Sequence, residues 1–84
     1  MYVTKIVIES PQAGSSVHAF EEIEITGYVK HVDLLELNGR KILTDGNGFF
    51  KEELIPAIGY NVFELRAKDR FGREEVSIFE LTGV

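Results

Sequence analysis

Along residues 61–68 the chain alternates, with Phe63, Leu65 and Ala67 on one side and Val62, Glu64 and Arg66 on the other. A period of two over this length predicts a strand with one face in a core and one largely in water. Asp69-Arg70-Phe71-Gly72 then reads as a tight turn into a last strand over 73–82. Upstream, residues 4–9 are rich in β-branched side chains and form a first strand, which Pro11 and Gly14 break. Over 22–29, Ile23, Ile25, Gly27 and Val29 alternate with Glu24, Thr26 and Tyr28, so a second strand turns its isoleucines inward. Gly27 inside that strand marks a bulge or a close backbone approach rather than a ligand contact.

Asn38-Gly39 is the sharpest local signal, because a two-residue hairpin turn needs positive φ at both central positions. It sets Leu37 opposite Arg40, Glu36 opposite Lys41, Leu35 opposite Ile42 and Leu34 opposite Leu43. Leu35 and Ile42 share the core face, and Glu36 and Lys41 can pair on the other. Asp45-Gly46-Asn47-Gly48 is a second turn, and 49–54 is a strand with Phe50 and Leu54 in one phase. Glu52 shares that phase and is expected near an edge, partly in water. Seven short strands with regular turn signals and no helical period predict a single all-β domain over 1–84, built as a two-sheet sandwich.

Three groups of residues then carry a resemblance: Ser10-Pro11 with Gly14-Ser15 and Val17; Leu37-Asn38-Gly39 followed by Asp45, Gly48 and Phe50; and Gly59 with Asn61, Ala67, Asp69 and Gly72. Together they resemble the bacterial Ig-like domains similar to domain B of glucodextranase, over Ile6 to Leu81. The matched residues are turn formers and core positions, so the likeness bears on fold and hardly on mechanism. It implies a Greek-key sandwich with strands A (4–9), B (22–29) and E (49–54) in one sheet. The other would hold C′, C, F and G, the first two being the hairpin arms, F the 61–68 strand and G the last. It also implies a structural or protein-interaction role as a spacer, stalk or adhesive contact module of a secreted or surface-anchored bacterial protein, and hence an extracellular or cell-surface location. The family shares no catalytic or binding residues, and none is carried over.

Composition narrows the partners. With 44% apolar and 27% charged residues the chain of 84 is an ordinary globular one. Fourteen acids against nine cations give a net charge of −5, which opposes the counterion release that drives nucleic-acid binding. The absence of cysteine removes disulfides, thiolate metal sites and thiol nucleophiles. No run approaches the roughly 20 apolar residues of a membrane span, and the start lacks the basic and apolar regions of a signal peptide. The chain therefore acts in the cytosol or derives from a longer parent.

Candidate chemistry is sparse, and the chain is expected to be neither an enzyme nor a cofactor binder. His18 and His31 lack the spacing of a zinc site, and Ser15 and Ser16 precede His18 without a recognisable triad. Asp45-Gly46-Asn47-Gly48 has glycines and oxygen ligands but lacks the further acids of a calcium loop. In Glu21-Glu22, Glu52-Glu53 and Glu74-Glu75, neighbours on a strand point to opposite faces, so a pair cannot converge on one atom. Tyr2, Tyr28, Tyr60 and Phe71 are candidate exposed rings. Tyr28 and Tyr60 are the sugar-stacking candidates if the chain is instead a carbohydrate-binding accessory domain of a glycoside-active enzyme. The preferred partner surface is an outer apolar face of Leu34, Leu43, Val62, Val76 and Ile78, rimmed by Glu36, Lys41, Glu64 and Arg66 and covered by a neighbouring domain or a second copy.

Overall fold

A computed structural model describes residues 4–84, which form two sheets and, among the described residues, no helix. The strands are β1 (Lys5–Ser10), β2 (Ser16–Val17), β3 (Ile23–Lys30), β4 (Leu34–Leu37), β5 (Arg40–Ile42), β6 (Phe49–Leu54), β7 (Gly59–Lys68) and β8 (Glu74–Gly83). One sheet has the order β1-β3-β6, the other β2-β8-β7-β4-β5. The strands expected from periodicity are all present. The eighth, β2, was not foreseen, because two residues have no period; it exists only by parallel pairing of Ser16 with Thr82 and Val17 with Gly83.

Alternation on β7 decides the core. Phe63, Leu65 and Ala67 are buried together with Leu35, Leu37, Ile42, Phe79 and Leu81 from the same sheet and Ile25, Val29 and Phe50 from the other. Phe63 and Phe79, directly opposite in register, pack as tilted rings with centroids 5.2 Å apart. Ile23, expected in the core, is half-buried against its margin near one end of β3. At Gly27, a Cβ would run into the carbonyl oxygen of Val7 and come within 2.8 Å of the Phe50 ring. The glycine is therefore where β1 and the core aromatic close on β3.

The hairpin has the expected register over Leu35–Ile42, Glu36–Lys41 and Leu37–Arg40, with φ of 50° at Asn38 and 82° at Gly39. The turn also continues the ladder to β7: the Asn38 amide donates to the Glu64 carbonyl and the Glu64 amide donates to Asn38 Oδ1, both at 2.8 Å. The expected Leu34–Leu43 pair does not form. β5 stops at Ile42, and Leu43 is 81% exposed.

An inward-phase glutamate latches each open side of the sandwich. Glu52 of β6 accepts a 2.8 Å hydrogen bond from Arg40 of β5, and Glu75 of β8 accepts one from the Ile6 amide of β1 at 3.1 Å. The second latch also orients the molecule. Since Ile6 lies beside Glu75, and β8 runs from Glu74 away to Gly83, Lys5 and Gly83 sit at opposite ends of a body measuring 41 × 20 × 19 Å.

Candidate interaction surfaces

The outer face of the five-stranded sheet carries the apolar residues expected as a contact face, but not as one patch. Leu34 is paired with Lys68 of β7, so Val62, six residues further along that strand, lies about 20 Å away at about 3.3 Å per residue. This corrects the expectation that Val62 sits beside Leu34 and Leu43: the Asn38-Gly39 signal sets β5 on β4 but says nothing of where β4 lies along β7, a register that pairs Leu34 with Lys68 and Leu37 with Leu65. The gap is filled by charge. Arg66 bonds Glu64 at 3.1 Å and Glu74 at 2.9 Å, and Lys68 bonds Glu74 at 3.1 Å. Val76 faces Arg66, Ile78 faces Glu64 and Val62 faces Glu80 across β7 and β8. Val62 and Ile78 thus remain diagonal neighbours, with Val76 beyond them and Leu34 and Leu43 apart.

The two tyrosines expected for stacking are not brought together. Tyr28 is half-buried on the outer side of the three-stranded sheet, opposite Phe49 and edge-on to its ring at 5.8 Å. Tyr60 stands on the other sheet, opposite Thr82 near the Gly83 end. Tyr2 lies outside the described residues.

At the Lys5 end, two turns have one construction. In each, the Asp amide donates to the carbonyl four residues on, at 2.9 Å for Asp45 and 3.0 Å for Asp69. The Asp45 carboxylate accepts the amides of Asn47 (2.8 Å) and Phe49 (3.0 Å); that of Asp69 accepts those of Phe71 (2.8 Å) and Arg73 (2.9 Å) and also the Arg73 guanidinium at 2.7 Å. Desolvation, the largest influence on Asp69, pushes its pKa up, but the bonds from Arg73 and Phe71 together outweigh it and hold the carboxyl below its ordinary value. The Asp45 carboxylate is likewise engaged with its own backbone. Among the described residues no three His, Asp or Glu side chains surround a common position for a metal ion.

Between the second turn and the 31–33 loop lies a recess of about 210 Å³ lined by His31, Asp33, Asp69, Arg70, Phe71 and Arg73. Phe71 is 70% exposed, its ring under the Arg73 guanidinium at 5.5 Å. The Arg70 Nε sits 3.8 Å from Asp33. His31 also borders a shallower cleft on the far side of its loop, against the Asp45 turn.

The Gly83 end is different in kind. Phe20, Ile55, Ile58, Tyr60 and Val84 are all between 63% and 81% exposed there. Backbone bonds gather them: the Phe20 amide donates to the Pro56 carbonyl (2.8 Å) and the Ala19 amide to that of Val84 (3.0 Å). Pro56 is fully buried beneath. Phe20 has φ of 65°, an outlier for a bulky side chain. Sequence reasoning singled out Tyr60 and His18 here but not the cluster with Phe20, Ile55, Ile58 and Val84. The only signal was the unalternating run Leu54-Ile55-Pro56-Ala57-Ile58, which reads as a connector. His18 is exposed next to it, while Ser15 and Ser16 are taken up in backbone pairing with β8.

No known family model matches the chain, and no curated protein matches it.

Proposed function

We propose that this chain is a non-catalytic structural or interaction module with an Ig-like Greek-key topology, similar to domain B of glucodextranase. In this reading it is one repeat or spacer of a bacterial cell-surface or secreted protein. The observation that supports it is the group of exposed apolar side chains, Phe20, Ile55, Ile58, Tyr60 and Val84, at one end of a 41 Å body. Contiguous exposed apolar surface more often marks a partner than a free surface. Its partners are neighbouring domains or a second copy.

A second reading, a carbohydrate-binding accessory domain, draws on the Phe71 recess, which sets one exposed ring among charged groups able to hydrogen-bond hydroxyls. A glycan array separates the two. No reproducible binding is expected; binding lost in Phe71→Ala, Tyr28→Ala or Tyr60→Ala would replace the first reading with the second.

A further inference from the structure

We infer that the apolar Gly83 end docks on the Phe71 recess at the Lys5 end of a second copy, so that the protein associates head to tail. This rests on the interaction-module reading and gives it a surface and a partner.

Charge selects the occupant. Lysine and arginine occur at positions 5, 30, 40, 41, 51, 66, 68, 70 and 73, and none falls in the segments 17–23, 53–61 and 81–84 that build the apolar end. Its rim carries Glu21, Glu22 and Glu53 instead. Crowding there is already felt: a shared hydrogen bond and repulsion from Glu53 raise the pKa of Glu22. Two such ends pressed together would set glutamates against glutamates. The opposite end offers what is missing. Within the recess Arg70 is paired with Asp33 and Arg73 with Asp69, so the charge on offer comes from Lys5 and Lys30, which face each other across β1 and β3 beside it. An exposed apolar surface with an acidic rim thus meets a recess that has an aromatic wall, internally paired charges and two lysines beside it.

The contact uses two different surfaces, so it is heterologous and does not close on itself; repeated, it gives linear chains rather than dimers. The acidic rim makes it weaken as salt rises.

Sedimentation equilibrium from micromolar to millimolar protein at low salt tests this. The average mass of the wild type is expected to climb past twice the 9.5 kDa monomer without a plateau. Two double variants each remove one surface: Phe20→Asn with Ile58→Glu, and Arg70→Glu with Phe71→Ser. All four positions are exposed, and asparagine tolerates the left-handed backbone at position 20, so both variants are expected to fold, as circular dichroism would show. Each alone should stay at monomer mass. An equimolar mixture should form a one-to-one complex and stop there. A wild type that remains monomeric to millimolar concentration overturns the inference while leaving the module reading to its glycan test. A recess variant that still dimerises alone, or a mixture that does not pair, overturns it as well.

Discussion

At Gly27 a methyl group and a backbone oxygen would claim the same space, and two opposing effects can be weighed there. Replacing a glycine by alanine restricts the unfolded chain, a gain of about 0.4–1 kcal/mol where the native backbone allows it. Forcing a side chain into a filled site costs about 1–3 kcal/mol. With the Val7 carbonyl and the Phe50 ring both in the way, the cost wins, and Gly27→Ala should lower stability in urea titration. Gly46→Ala, where the added methyl meets nothing within 4 Å, should be neutral or gain up to about 1 kcal/mol. Sequence pointed to a close approach at Gly27 but not to what approaches, since Val7 is twenty residues away in the chain. Titration tells the acids apart too. Side-chain bonding from Lys68, partly offset by desolvation, lowers the Glu74 pKa, and Asp69 is lowered as described. Their stabilisation is present above the ordinary carboxyl range, about 3.9–4.3, and fades as pH falls through the depressed values. Glu22 has the opposite sign: its raised pKa means a contribution complete below the ordinary range and lost as pH rises through the raised value. Glu22→Gln should therefore raise the melting temperature at pH 7 and lose that advantage near pH 4. An equal gain at both pH values would show that the repulsion from Glu53 is not its cause.

Strands with a long period were legible because burial on one face repeats in the sequence; relations between strands were legible only where a turn imposed them. The Asn38-Gly39 turn fixed β4 against β5 residue for residue. No comparable sequence signal sets β4 against β7, which are joined by a long stretch of chain, and so the periodicity alone predicts the wrong register for the outer apolar face. The correct register places the Arg66, Glu64, Glu74 and Lys68 cluster where a continuous patch was expected. The hairpin turn does hold β7 through Asn38, which invites a test. Asn38→Gly keeps the turn conformation and removes the acceptor for the Glu64 amide, a loss of about 0.5–1.5 kcal/mol. Asn38→Ala adds the left-handed strain, a further cost of about 1–2 kcal/mol. Equal losses for the two in denaturant titration would mean that backbone conformation contributes nothing there.

For the molecule as a whole, the two aspartate turns flank the 31–33 loop at one end and the apolar residues gather at the other. Because the Asp45 carboxylate is engaged by two amides, calcium should leave the melting temperature unchanged. Binding at about 100 times the dissociation constant would add roughly 2.7 kcal/mol, so scanning calorimetry would readily show a site if one existed. The separation of Lys5 and Gly83 has a mechanical consequence. Tension applied through these two residues pulls β1 and β8 lengthwise past their neighbours. In antiparallel pairs the hydrogen bonds lie across the strands, so this load falls on the whole register at once, from Lys5–Lys30 to Ser10–Thr26 on β1 and along all ten pairs of β7 and β8. Pulling instead between Asp33 and Leu43, at the open end of the β4–β5 hairpin, would part its bonds one after another. Single-molecule force spectroscopy should find the end-to-end direction markedly stronger, with rupture set by the unfolding rate and not by equilibrium stability. Stretched from its ends, the protein behaves as a shear clamp that yields abruptly.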